Sequence, residues 1–331
     1  MNEPIRVGLH NCLPRALKHY ASAVEQLLVG AGGVVKPLDA VDIELNGVSF
    51  PGKLSVAAHA LRERSRSLST LAYGKRVLVT WPAFGFLDYS LWRAPVGTRV
   101  SVVMHDPMPL RRQVGLSPIS AQVGRRCKSP DVDMIVHSEA ALQSVARRGF
   151  GDATRLPLPM FQPSSEWEPQ RSVVVLGQFK TARDLELMVK LAPGLSGAGL
   201  FPEVWGRDWP AVTGWSVHAG YLSESHFNRV LREAACLVLP YSRLFQSDVA
   251  VRAAEAGVPV VGPSLSNLSE LFGEDWPGAV RPGASAREWI ERVIEVSTLT
   301  PEEVFARLEG RYESILSAWA AWLPISTGAR A

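Results

Sequence analysis

Residues 239–262, LPYSRLFQSDVAVRAAEAGVPVVG, decide how this chain folds. The stretch opens on the end of one apolar run and closes on the next. Between them a polar turn, Ser242 to Asp248, leads directly into an alanine-rich helix. Apolar strand, turn, helix, apolar strand is a βαβ unit, so the two strands lie parallel with the helix crossing over them. The turn then falls at a strand's carboxyl end, where a helix N-terminus directs its N–H groups outward. Two readings of Gln246, Ser247, Asp248 and Val249 stand side by side. Ser247 and Asp248 form an ordinary helix cap, worth about 1 kcal/mol, or the helix start is offered to an anionic ligand.

The same alternation continues in both directions. Towards the C-terminus come the shorter helix SNLSELF and the long amphipathic helix PEEVFARLEGRYESILSAWAAWL, which has a proline start. Towards the N-terminus, strand CLVLPY (236–241) is preceded by helix SESHFNRVLREA, a short strand SVHAG, strand FPEVWG (201–206), helix ARDLELMVKLAP and strand SVVVLG (172–177). Residues 157–172, PLPMFQPSSEWEPQRS, are rich in proline and serine without periodicity and read as a linker. Before the linker lies a second series, with strands IRVGLH (5–10), RVLVTW (76–81), RVSVVMH (99–105) and DMIVHS (133–138). Its helices are LPRALKHYASAVEQLLVGAG, with Pro14 in the first turn, and EAALQSVARRGFG. Strands apolar on both faces belong to parallel sheets covered by helices. The expectation is an α/β chain of two doubly wound Rossmann-like domains facing each other across a cleft. Residues 1–160 form one and 161–300 the other, with a C-terminal helix in 301–331 packing back towards the first.

Composition narrows the function. A chain of 331 residues, 47% hydrophobic, can bury two cores. A formal charge of +3 suits anionic small molecules or a membrane surface and argues against nucleic acid as the main partner. Cys12, Cys127 and Cys236 are far apart, with no Cys-x-x-Cys pair, which excludes a disulfide framework or zinc finger as the organising feature. The start, MNEPIRVGLHN, lacks the apolar core of a signal peptide, and no run of about 18 apolar residues occurs. A cytoplasmic protein is expected, at most peripheral at the inner membrane face. The DVD triplet (131–133) begins a strand rather than ending one, and reads as a polar turn; no metal site is expected.

The order of motifs over residues 76–262 resembles the GT-B glycosyltransferases, particularly the retaining family 4 type. VLPYSRLFQSDVAVRAAEAGVPVVG fills the frame of that family's donor-gripping LPS…EGFG…LEAMA-G-PVV stretch. VVMHDP resembles its strand ending in histidine, and DMIVHSEAALQSV the following strand and helix. VVVLGQFKTARDLELMVKLAP resembles its glycine-arginine strand end with a downstream lysine, and GYLSESHFNRVLREAACLVLPY the next helix and strand. There are departures. The family's two glutamates fall on Leu244 and Arg252, its arginine on Gln178, and its N-terminal double-glycine loop on NCLPRA.

The resemblance implies transfer of a sugar from a nucleotide diphosphate sugar, a UDP- or GDP-sugar, to an acceptor bound by the N-terminal domain. It implies retention of configuration, and neither metal nor cofactor beyond the co-substrate. The acceptor is left open, as an anionic or membrane-associated molecule. His105 would take the catalytic position, against the plain reading of a satisfied core histidine. Gly177, Lys180, Arg183, Gln246, Ser247, Asp248 and Val249 would hold the donor diphosphate. Cations at a helix start oppose the helix dipole, so Lys180 and Arg183 suggest an anionic partner in their own right. His10, Asn11, Trp81 and Asp106 end strands on the acceptor side, where Trp81 and Phe84 could equally be core. Arg252, where the family places a carboxylate that holds the ribose, either pairs with Glu255 three residues on, the favoured reading, or contacts a phosphate of the donor. Residues 107–130 hold Arg111, Arg112, Arg125, Arg126 and Lys128 with no acidic residue, a solvated loop or a surface for an anionic acceptor or acidic lipid. Alternatives are a non-catalytic nucleotide-sugar-binding subunit, a DNA-modifying glucosyltransferase and, less favoured for want of paired carboxylates, a nucleotide-sugar epimerase.

Overall fold

The computed structural model describes residues 4–38, 76–92, 96–108, 113–241, 244 and 246–324. Ser242, Arg243 and Phe245 of the polar turn, and Arg111 and Arg112, lie outside the described residues. The chain divides into two compact units. One holds the residues up to Pro159 together with those from Ile315 on; the other is Met160–Ser314.

The first unit is built on six parallel strands: β1 (Arg6–His10), β2 (Val34–Leu38), β3 (Arg76–Val79), β4 (Arg99–Val103), β5 (Val132–Val136) and β6 (Thr154–Arg155). Their order is β2-β1-β3-β4-β5-β6. Every residue of β3 is buried, as the unbroken apolar runs require of a sheet covered on both faces. Its described helices are α1 (Lys18–Gly30), α2 (Asp88–Leu91), α3 (Pro118–Arg126) and α4 (Glu139–Ala146). Helix α1 buries Tyr20, Ala23, Val24, Leu27 and Leu28, one stripe at helical spacing. It does not begin at Pro14. Leu13–Leu17 form a turn closed by the Leu17 N–H on the Leu13 carbonyl (2.9 Å), and the helix starts at Lys18.

The second unit carries β7 (Ser172–Leu176), β8 (Phe201–Gly206), β9 (Ser216–Ala219), β10 (Ala234–Val238), β11 (Val260–Pro263) and β12 (Ala279–Val280). Their order is β12-β11-β10-β7-β8-β9, again all parallel. Helices α5 (Leu185–Gly197), α6 (Glu224–Glu233), α7 (Asp248–Glu255) and α8 (Leu268–Phe272) connect strands, and α9 (Ala286–Ser297) follows β12. The last helix, α10 (Pro301–Trp322), begins in this unit, and its residues from Ile315 on belong to the first.

The proline-rich stretch is no free connection from Met160 onward. It lies along the second unit as a strap. The Ser164 N–H donates to Glu255 O (2.7 Å), the Gln170 N–H to Glu233 O (2.8 Å) and the buried Trp167 indole N–H to Ala234 O (2.7 Å). In the DVD triplet, Asp131 precedes β5 while Asp133 lies on it, 3.7 Å from Arg99.

In each sheet the chain reverses direction once. It runs from β1 to β2 and then resumes on β1's other side at β3, and it returns from β9 to lay β10 beside β7. At such a switch point the connections leave in opposite directions from two neighbouring strand ends and open a crevice there. The β1/β3 and β7/β10 ends are therefore where each unit by itself can take a ligand.

Candidate functional site

At the β7/β10 switch point the chain leaves Leu176 through Gly177, whose φ of 99° falls in the left-handed region open to glycine. A Cβ built there would meet Arg183 Nη2 at 3.3 Å and Val249 Cγ2 at 3.8 Å. Gly177, Arg183 and Val249 are thus brought together by the fold. The segment after β7 folds onto the one after β10: Arg183 bridges Tyr241, and the Asp184 N–H donates to Pro240 O (2.7 Å). Asp184 then caps α5 by accepting from the Leu187 N–H (2.8 Å).

Arg183 is the unusual residue here. It is 6% exposed, with its guanidinium 4.8 Å from the Trp209 ring and 5.1 Å from the Tyr241 ring. Nη2 donates to the Leu176 carbonyl (2.7 Å), while Nε and Nη1 meet no acceptor. Burial holds its pKa below the ordinary value, and Tyr241 partly counters that. Arginine nonetheless stays charged. A buried cation with two idle donors costs several times an ordinary hydrogen bond unless an anion meets it. Lys180 is exposed; its carbonyl accepts the Arg183 N–H (2.9 Å), forming the turn that leads Arg183 inward. Gln178, at the family's arginine position, donates to Asp208 (2.7 Å).

Ser247 is the N-cap of α7, accepting from the Ala250 N–H (3.2 Å). Its own N–H donates to Asn267 Oδ1 (3.1 Å), and Asn267, fully buried, keeps an unpaired Nδ2. The cap and the ligand reading are compatible, because the cap uses only one of the first N–H groups. Asp248 is exposed, and Gln246 and Val249 half-buried. Beside them a cavity of about 300 Å³ opens past the ends of β10, β11 and β12, lined among others by Tyr241, Leu244, Pro263, Arg281, Gly283 and Trp289. Sequence reasoning missed Trp209, Tyr241 and this cavity. Arg252 does not pair with Glu255. It reaches Glu224 Oε2 and Asn228 Oδ1 on α6, both at 2.7 Å, over the Phe227 ring, while Glu255 accepts the Phe161 N–H (2.7 Å).

At the β1/β3 switch point, strand ends gather His10, Asn11, Trp81 and, from neighbouring β4, His105. Thr80 connects them. Its hydroxyl donates to Asn11 Oδ1 (3.0 Å) and its carbonyl accepts the His105 Nε2–H (2.8 Å). His105 stacks on Trp81 (5.4 Å) and meets Tyr20 edge-on (4.7 Å), and His10 meets Trp92 edge-on (5.3 Å). Behind them is His137, at the end of β5. Its Nδ1–H donates to Leu156 O (3.0 Å) and its Nε2 accepts the Tyr20 hydroxyl (2.7 Å). Burial pushes its pKa down to about 3, helped by His105, so it is neutral. His105 is 5% exposed, the same partly core-like state as its neighbours. Asp106 accepts the Met108 N–H (3.0 Å), as a turn cap does. Sequence reasoning missed His137, although the signal was there: IRVGLH and RVSVVMH end in histidine, and DMIVHS has one at its last position but one.

No family model and no curated protein matches the sequence. Among solved structures the fold recurs. A sucrose-phosphate synthase from Thermosynechococcus elongatus is 11% identical with a TM-score of 0.63, over 96% of this chain and 97% of that one. An α-glucosyltransferase in complex with UDP-glucose and DNA containing an abasic site is 14% identical with a TM-score of 0.54, over 96% of each. TarM is 11% identical with a TM-score of 0.58 over 80% of this chain, which spans 58% of TarM's length. The chain has the GT-B fold of two Rossmann-like domains.

Proposed function

We propose that this protein is a glycosyltransferase that takes a sugar from a nucleotide diphosphate sugar and places it on an acceptor bound by the first unit. The observation that carries the reading is Arg183, a buried guanidinium with two unsatisfied donors at the switch point beside a helix N-terminus. The diphosphate would meet the first N–H groups of α7 around Gln246 to Val249. Arg183 would reach it once Tyr241 or Trp209 yields, with Lys180 adding charge from the surface. The cavity beside them, with Tyr241 and Trp289 in its wall, has room for the nucleoside. UDP is the favoured nucleotide because a structure with this fold was captured with UDP-glucose.

In the transfer, the bond from the sugar's anomeric carbon to the diphosphate breaks as the acceptor oxygen bonds to that carbon. The departing phosphate takes the acceptor's proton, and configuration is retained. His105 would hydrogen-bond the reacting sugar, with His10, Asn11, Trp81 and Asp106 on the acceptor side. The transfer is proposed as metal-independent, as the family resemblance implies.

One observation favours a second reading, nucleotide-sugar binding without turnover. The family's glutamate positions hold Leu244, which lines the cavity, and Arg252, which is committed to α6. A thermal-shift panel of nucleotide diphosphates and their sugars, run on wild type and Arg183→Ala, tests both. Stabilisation by one nucleotide, lost in the variant, supports the donor site, and release of free sugar from that nucleotide sugar then separates enzyme from binding subunit. No shift at millimolar nucleotide would sink the site. Binding to duplex DNA that weakens steeply with salt would move the reading to a DNA-modifying glucosyltransferase.

A further inference from the structure

Asn267 does not do what its place in the chain prescribes. It directly precedes α8, where an asparagine ordinarily turns its side chain onto its own helix as a cap. Here it makes no such bond, and the Leu268 N–H goes to Ser266 Oγ instead (3.4 Å). The carboxamide reaches back to the start of α7, where Oδ1 accepts the Ser247 N–H (3.1 Å). A backbone N–H can face only an acceptor, so this contact fixes which way round the carboxamide lies. Nδ2 is the end left over. Asn267 is wholly buried, and that Nδ2 meets no acceptor.

A buried donor without a partner is destabilising, and an apolar residue of similar size would avoid the penalty. Two side chains carry such a penalty around one helix start. In the strand order β11-β10-β7, helix α7 follows β10, so the segments after β7 and β11 flank its beginning from either side. Arg183 arrives from the β7 side, near Val249, and Asn267 from the β11 side, on Ser247. Both hold idle donors, and the helix N-terminus between them attracts negative charge. Donors on two sides of one helix start match a ligand with two linked anionic groups. We propose that Asn267 is a specificity-determining residue of the donor site, its Nδ2 binding one phosphoryl group while Arg183 binds the other. The site thereby selects a diphosphate over a monophosphate. Both side chains are covered, so the turn before α7 has to shift as the anion enters. The proposal rests on the donor reading above.

The test is calorimetric titration of wild type, Asn267→Ala and Asn267→Asp with UDP, UMP, inorganic pyrophosphate and inorganic phosphate. Asn267→Ala removes the whole carboxamide. Asn267→Asp keeps an oxygen for the Ser247 N–H and turns the idle donor into a second oxygen. Wild type should bind UDP about tenfold or more tighter than UMP, and pyrophosphate likewise over phosphate. Both variants should lose about 10- to 100-fold in affinity for the two diphosphates, the range of a hydrogen bond to a charged group. They should lose much less for the monophosphates, so the preference collapses. A role confined to holding α7 in place would not move that ratio. Asn267→Ala would then weaken all four ligands alike, and Asn267→Asp would spare them; either pattern overturns the proposal. Equal wild-type affinity for mono- and diphosphates overturns it too. Thermal unfolding reports whether each variant is folded, and if Asn267→Ala is not, Asn267→Asp decides alone. Failure of the donor reading looks different. Pyrophosphate binding that depends on Asn267, with UDP binding no tighter than pyrophosphate, would keep this inference and remove the nucleotide. Absence of binding by all four overturns both.

Discussion

Acid should loosen this protein through one buried ring. The perturbation is a fall in pH from 7.5 to 5. His137 is 1% exposed and its pKa is held at about 3, against an ordinary value of 6.5. Between those two values the unfolded chain binds a proton at this position that the folded chain does not. The folded pKa is the depressed one, so the contribution to stability is fully present above about pH 6.5 and is lost as pH falls towards about 3. Each unit of pH within that window costs about 1.4 kcal/mol, so at pH 5 the loss from His137 alone is about 2 kcal/mol. The assay is urea unfolding of wild type and of the double variant Tyr20→Phe, His137→Phe, at matched ionic strength. The double substitution removes the titrating ring without stranding the Tyr20 hydroxyl that donates to it. The variant starts less stable at pH 7.5, but its loss on acidification should be smaller than that of wild type by about 2 kcal/mol. Equal losses in the two proteins would refute the reasoning, since they would mean that His137 protonates as readily folded as unfolded.

Arg183→Ala should cut nucleotide diphosphate affinity by about 10- to 100-fold in calorimetric titration, the range of a charge-assisted hydrogen bond lost. Its effect on unfolding should be small or even favourable, because an unsatisfied buried cation leaves with it. Arg252→Ala should cost about 1 kcal/mol in urea unfolding, through lost packing on Phe227 and lost bonds to α6, and leave nucleotide affinity unchanged; a nucleotide effect would return Arg252 to the donor site. Gly124→Ala should destabilise by about 1–3 kcal/mol as its Cβ forces α3 away from Phe86, and an unchanged midpoint would show that the helix yields there at no cost.

The alternation of strand and helix was legible because the parallel strands are apolar throughout, and the positions at their carboxyl ends followed from topology. What escaped the sequence did so for physical reasons. β2, VVKPL, is largely exposed and contains Lys36 and Pro37, so it lacks the apolar run that marks the other strands. Helix α3 buries alanine and glycine instead of large residues, which inverts the periodicity that announces a helix. Arg252 and Glu255 have helical pair spacing, yet each found a partner at long range, Glu224 and the Phe161 N–H, which spacing cannot show. Arg183 was named as a cation at a helix start, but its burial between Trp209 and Tyr241 depends on a strand crossing that no local pattern records. His137 needed only a comparison of three strand ends.

The last helix carries a consequence for synthesis. The core of the first unit includes Ile315, Trp319 and Leu323, all nearly or wholly buried, and the Trp319 indole N–H donates to Pro157 O (3.1 Å). On the ribosome these residues emerge after all the strands of the first sheet, whereas Met160–Ser314 is contiguous. A nascent chain generally folds its N-terminal domain first; here that order is reversed. The second unit can close while the first still waits for Trp319, and until it arrives the first sheet stays open to chaperone and protease.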